Sequence, residues 1–339
     1  MPMTNRFYIR FFFGCLICTL ISLILFRFTY STPWTPTIVS TDYRQRLECT
    51  CYRHDLPPLD FNLTSNPAQN PSSLCNQYAT RRGPHQRIIS ISLYGPKENK
   101  RFQYNQSLSF LHELINDMNT IYPDNFTLRI HHDDTISLSD VICPIECRHH
   151  NVDFCNMESK LFIPPKIWRF IPAGDPLVDI MMSRDLDSPL TQRERAAVDV
   201  WLASNKSFHA MRDHPLHGVP MLGGMWGFRP SLNPTISRLM HNKIHDRSLV
   251  KRYGGKDDQT FLSKEIWSHA KSSIIVHDSF LCKNNYGKKP EPFPTQRPSA
   301  NETNCFIGCI RPCCSSGKMP FGECPKECRP KDHPEWNYC

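Results

Sequence analysis

Apolar positions along the chain fall into blocks with different periods. Residues 11–26 carry no charge, with Arg6 and Arg10 before them and Arg27 after. Counted over 7–28 the block has 22 residues. That length crosses the ~30 Å hydrocarbon layer if Arg10 and Arg27 snorkel at its edges. From Arg87 the pattern changes. Residues 88–94 (IISISLY) are β-branched and apolar, end at Gly95-Pro96, and predict a buried strand. Leu108, Leu111, Ile115 and Met118 recur at helical spacing, and 126–131 (FTLRIH) alternates as a second strand. Residues 168–171 and 177–182 (LVDIMM) bracket a further helix–strand unit. Thr191-Gln192-Arg193-Glu194 reads as a capping box, with Ala197, Val198, Trp201 and Leu202 on one helical face behind it. Ile236, Leu239, Met240 and Ile244 predict another helix, 260–267 a short one, and 273–276 a last buried strand. Strands alternating with helices predict an α/β domain with a mainly parallel sheet.

The segments outside this domain differ in composition. Residues 31–86 are rich in Pro, Ser, Thr and Asn without a persistent apolar period, as in a stem. The chain therefore divides into a short tail (1–6), a membrane anchor (7–28), a stem (29–86), an α/β domain (87–281) and a Cys/Pro-rich extension (282–339). A cleaved signal peptide would want a small-residue site after the apolar run, but Phe26-Arg27-Phe28 follows, so the anchor reads as uncleaved. With Arg6 and Arg10 on the cytoplasmic side, everything after Arg27 is expected in the lumen of the secretory pathway (ER or Golgi) as a single-pass type II protein. Sequons at Asn62, Asn105, Asn125, Asn205 and Asn301 agree with that compartment.

Charge and cysteine content narrow the function. The net charge is +8, yet 87–281 contributes only +1, which argues against a nucleic-acid-binding domain. Sixteen cysteines suit an oxidising compartment, and eight of them lie in 282–339 beside nine prolines. Their C-x₃-C spacings fit zinc poorly and disulfides well, with connectivity left open. Cys143, Cys147 and Cys155 form a second cluster, expected to bridge a loop.

Candidate chemistry begins where the run 177–182 stops, at Arg184-Asp185-Leu186-Asp187-Ser188. Carboxylates at i and i+2 after a buried strand project from its carboxyl end, where open α/β sheets bind ligands. Two hard oxygen donors suit Mn²⁺ or Mg²⁺, although such pairs are also common in solvated loops. The last strand runs into His277-Asp278-Ser279, and His277 is either a third ligand or a structural histidine. Arg212-Asp213-His214-Pro215-Leu216-His217, Gly223-Gly224-Met225-Trp226-Gly227 and Asp257-Asp258-Gln259 lie between. The glycine stretch is either a turn beside a core tryptophan or a place where backbone approaches a sugar under the Trp226 ring.

Together these segments resemble type II membrane glycosyltransferases of the GT-A fold. The likeness covers 87–281 and rests on the ordered set Ser92-Leu93-Tyr94-Gly95, Trp168-Arg169-Phe170-Ile171-Pro172, Arg-Asp-Leu-Asp-Ser at 184–188, Asp258-Gln259, and His277-Asp278-Ser279. The Cys-rich end departs from that fold. The resemblance implies metal ligation by Asp185, Asp187 and His277, and nucleotide contacts from Leu93, Tyr94, Arg169, Arg184 and Ser188. It implies acceptor or sugar contacts from Arg212, His214, Gly224 and Trp226. It also implies transfer of a hexosyl or N-acetylhexosaminyl group from a nucleotide-sugar, expected to be a UDP-sugar, to a glycan or glycoprotein. An inverting enzyme needs a carboxylate base, for which Asp213, Asp257 and Asp258 are candidates; Asp258-Gln259 resembles a pair seen in retaining members and tips the expectation to retention. Two rivals stand beside this reading. One is a haloacid-dehalogenase-like phosphatase with Asp185 as nucleophile, although there the motif follows the first strand. The other is an inactive Cys-rich binding protein on a transferase scaffold.

Overall fold

The computed structural model describes residue 49 and residues 71–95, 104–254, 258–283, 286–297, 306–313 and 322–339. The segment 7–28, expected as an anchor, and the candidate base Asp257 lie outside them. Seven strands form one sheet: β1 (Gln86–Leu93), β2 (Phe126–His132), β3 (Val152–Asn156), β4 (Val178–Ser183), β5 (Phe208–Arg212), β6 (Trp226–Phe228) and β7 (Ile274–Asp278), in the order β3-β2-β1-β4-β6-β5-β7. All neighbours pair parallel except β6, which is antiparallel to both β4 and β5. The expected α/β class with a mainly parallel sheet is what the chain adopts.

Both faces of the sheet are covered, which is why its strands read as nearly continuous apolar runs. Adjacent residues enter opposite cores: Ile88 and Met181 pack on one face, Ile89 and Met182 on the other. The second face is closed by α1 (Tyr104–Ile121), through Leu111, Leu114, Ile115 and Met118, and by α2 (Gln192–Ala203), through Val198 and Trp201. The first face is closed by α3 (Pro234–His245), through Met240 and Ile244, and by the helical stretch 258–270. Among the described residues no helix is long and apolar enough to cross a membrane.

Three strands escape the sequence pattern. β3 and β5 are five residues each and place polar side chains inside, while β6 has three residues. The capping box is half made. Thr191 Oγ1 accepts from the Glu194 N–H (3.1 Å), but the Glu194 carboxylate turns inward to Arg184 Nε (2.7 Å) and the Tyr122 hydroxyl (3.0 Å). A buried guanidinium without a counter-ion would cost several kcal/mol, which outweighs the second half of a cap.

Disulfides tie the flanking segments to the domain. Cys143 and Cys155 do not bridge their own loop; they pair with Cys49 and Cys75. Residues 71–85, assigned to the stem from composition, thus carry a short helix (Gln77–Arg81) and a covalent link to β3. The C-terminal extension is stapled by Cys282–Cys328, Cys309–Cys313 and Cys324–Cys339, as disulfides rather than as a zinc site.

Candidate active site at the β1–β4 switch point

The chain leaves β1 toward β2 and β3 on one side, then crosses to β4 on the other. Such a reversal opens a crevice at the carboxyl ends of the two strands. A cavity of about 620 Å³ lies there, lined by Ser92, Leu93 and Tyr94 from the end of β1 and by Asp185, Leu186 and Asp187 from the turn after β4. Its remaining wall includes Lys166, Arg169, His217, Gly223, Gly224, Asp258 and Gln259. That volume lies in the range of small-molecule sites.

Arg169 organises the floor. Its guanidinium binds the Asp185 carboxylate, Asp258 Oδ2 (2.6 Å) and the Arg184 carbonyl (3.0 Å), while its backbone N–H donates to Ser92 Oγ (3.2 Å). Burial alone would lower the Arg169 pKa, but the Asp185 and Asp258 carboxylates overcome it and hold the pKa above its ordinary value. Two glycines make room for this arrangement. A Cβ on Gly224 would overlap the Asp185 carboxylate, and one on Gly223 would overlap Asp258 and come within 2.6 Å of Arg169 Nη2. The Asp187 carboxyl is pushed up, first by burial and then by the neighbouring Asp185 charge. Two carboxylates in one cavity, one of them raised in this way, form a donor set that a hard divalent cation fits.

His217 ends the stretch 212–217 and drew no role of its own from the sequence. Its Nδ1 accepts from the Asp213 N–H (3.1 Å), so the neutral ring carries its proton on Nε2. Burial and then the nearby His214 push its pKa down to about 4. A neutral donor thus lines the cavity, rather than a lone pair for a metal. Its only sequence signal is the His-Pro-Leu-His spacing from His214.

The structure brings together Leu93, Tyr94, Arg169, Asp185, Asp187, Gly224, Asp258 and Gln259, all of which line the cavity. The other candidates lie elsewhere. His277 sits inside β7 opposite Met211, not beyond the strand end, and its Nδ1 lies 2.8 Å from Nε2 of His209. Two strands separate β4 from β7, roughly 14 Å at the usual strand spacing. His277 is therefore removed from the metal set. Asp213 is fully buried and accepts from Arg193 Nη2 (3.0 Å), Ser279 Oγ (2.7 Å) and the Ile307 N–H (3.1 Å); its pKa is lowered by Arg193 against the opposing effect of burial. It is a structural hub and not a base facing the cavity. Arg212 is buried against Asp278 (2.5 Å), and Arg184 is buried against Glu194. Trp226 is fully buried, edge-on to Phe170, and offers no face to a sugar. His214 and Ser188 are buried without lining the cavity.

No protein-family model and no curated protein matches the chain. Solved structures do. One is the glycosyltransferase GlyE of Streptococcus pneumoniae, at 13% identity over 57% of this chain and 45% of that one, with a TM-score of 0.38. A second is the galactosyltransferase LgtC in complex with donor and acceptor sugar analogues, at 13% identity over 57% and 73%, with a TM-score of 0.37. A third is the 4-diphosphocytidyl-2C-methyl-D-erythritol synthase of Anaerococcus prevotii, at 10% identity over 57% and 89%, with a TM-score of 0.35. The chain thus spans less than half the length of GlyE. These are partial likenesses of fold at low identity, and the chemistry rests on the site itself.

Proposed function

We propose that the chain is a glycosyltransferase that moves a sugar from a nucleotide-sugar, a UDP-sugar in the simplest case, to a glycan or glycoprotein acceptor. The observation that carries this reading is the carboxylate pair Asp185 and Asp187 facing a cavity at the β1–β4 switch point. Asp185 and Asp187 would hold Mn²⁺ or Mg²⁺. Such a cation supplies Lewis-acid neutralisation of the charge that grows on a departing diphosphate. The chain's own groups do the rest. Leu93 and Tyr94 bound the nucleotide side, and Arg169 keeps the Asp185 and Asp258 carboxylates in fixed orientation. His217 offers an uncharged N–H donor to an oxygen in the cavity.

Among the described residues, the carboxylates lining the cavity are Asp185, Asp187 and Asp258. Asp185 and Asp258 both pair with Arg169, and the candidate base Asp257 lies outside the described residues. The Asp258-Gln259 pair at the cavity wall is what favours transfer with retention over inversion. A location in the secretory pathway, anchored by 7–28, is supported by the sequons and by the disulfides.

The test is nucleotide release by the full-length, detergent-solubilised protein across a panel of nucleotide-sugars, with and without Mn²⁺. Release that needs Mn²⁺, stops in EDTA and is lost in Asp187→Ala supports the reading. Release that persists in EDTA contradicts it, and a trapped phosphoaspartate at Asp185 would favour the phosphatase instead. A loss of mass on glycosidase treatment is the expected sign of lumenal residence.

A further inference from the structure

We infer that the Cys-rich extension is a working part of this cleft, with Arg311 as a positioning residue that holds the Asp187 turn for cation and diphosphate. The inference rests on the reading above. Residues 306–313, closed by the Cys309–Cys313 disulfide, lie against the cavity, and Gly308 lines it. Gly308 has φ +89° and a Cβ there would come within 2.5 Å of Met225 Sδ, so the loop meets the cavity wall backbone-first. The loop is seated by the Ile307 N–H on Asp213 Oδ2 (3.1 Å) and by the Phe306 ring, 4.6 Å from His214 and 5.7 Å from His217.

Arg311 makes the decisive contacts. Its backbone N–H donates to the Asp187 carbonyl (2.8 Å). Its guanidinium, 11% exposed, spans Glu113 Oε2 (3.0 Å) and the Asp117 carboxylate, both on α1. Asp117 Oδ2 also accepts from the Leu190 N–H (3.0 Å). The turn that carries both carboxylates is therefore fastened at three points: Arg169 at Asp185, Arg311 at Asp187 and Asp117 at Leu190. The Arg311 guanidinium fixes its loop, and so the backbone contact at Asp187, to α1 through Glu113 and Asp117, and Asp117 makes the third contact itself. An α/β domain ending at β7 would lack the middle fastening. Groups that orient metal-binding carboxylates typically change metal affinity by about 10–100-fold when removed.

The experiment measures Mn²⁺ binding to the full-length protein in the presence of UDP, by the loss of the free-Mn²⁺ electron paramagnetic resonance signal beyond that caused by UDP alone, alongside thermal melting. Arg311→Ala should weaken Mn²⁺ binding roughly tenfold. Arg311→Lys should recover part of that loss, because an ammonium keeps the charge without the two-carboxylate fork. Asp117→Asn should weaken binding in the same direction and add less than fully to Arg311→Ala, because the two share the Arg311–Asp117 pair while Arg311 also holds Glu113 and Asp117 also accepts from Leu190. Lys283→Ala, which removes an exposed pair with Glu327 elsewhere in the extension, should leave binding unchanged. Wild-type affinity in Arg311→Ala would overturn the role of Arg311 while leaving the transferase reading standing. Absence of Mn²⁺ binding by the wild type with UDP would overturn both. If Arg311→Ala does not melt cooperatively, Arg311→Lys and Asp117→Asn decide, and wild-type affinity in both refutes the role.

Discussion

Replacing Gly224 by alanine is a small change aimed at one pair of atoms. The added Cβ would sit 3.0 Å from Asp185 Oδ1 and in overlap with Oδ2. Carbon and oxygen settle near 3.4 Å or beyond, so Oδ2 must retreat by about 1.5 Å or the glycine backbone must yield. Arg169 binds the same carboxylate from the other side, which limits the directions of retreat. A misplacement of about 1 Å at a reacting centre costs on the order of 100-fold in rate, or roughly 2.7 kcal/mol of transition-state stabilisation. The Asp185 side chain is 40% exposed and Gly224 does not need a left-handed conformation, so global stability should change little. The assay is kcat/KM for Mn²⁺-dependent nucleotide release, together with a melting curve. Gly218→Ala is the internal control, because nothing lies within 4 Å of its Cβ position. Gly224→Ala turning over within about threefold of Gly218→Ala would refute the argument that this glycine exists to admit the carboxylate.

Three further outcomes follow from the same contacts. Burial pushes His131 and His277 down to about 3, so both stay neutral in the fold while their unfolded forms gain protons below about pH 6.5. Unfolding free energy should therefore fall as pH drops from about 6.5 toward 4, by up to about 1.4 kcal/mol per pH unit for each histidine, and His277→Asn should flatten that slope in denaturant titrations. Trp226→Ala should destabilise by about 3–5 kcal/mol through a core cavity and leave the acceptor KM unchanged in whatever protein folds; a selective KM effect without loss of stability would restore Trp226 to the acceptor site. Asp213→Asn strips a buried charge from Arg193 and should cost about 3–5 kcal/mol in chemical denaturation, with activity following the folded fraction; full stability with lost turnover would return Asp213 to the catalytic candidates.

What the chain alone determined is what local order encodes. The apolar runs 88–94 and 177–182 announce buried parallel strands and the alternation of 126–131 a further strand, whose polar Thr127, Arg129 and His131 are buried as well. The position of Asp185 and Asp187 after 177–182 places them at a carboxyl end. The oxidised state of the extension was equally legible, because cysteine count and proline content need no coordinates. Tertiary structure decided the rest. Strand order put β6 and β5 between β4 and β7 and so parted His277 from the carboxylates. Burial consumed Arg184, Arg212 and Asp213 in ion pairs: a charge taken out of water must find its partner before it can serve a substrate. The same long-range packing brought Arg311 to Asp117, 194 residues away, and seated a loop of the extension on the cleft. No spacing rule along a chain reports such a contact, because it depends on how the sheet closes and not on what the neighbours are.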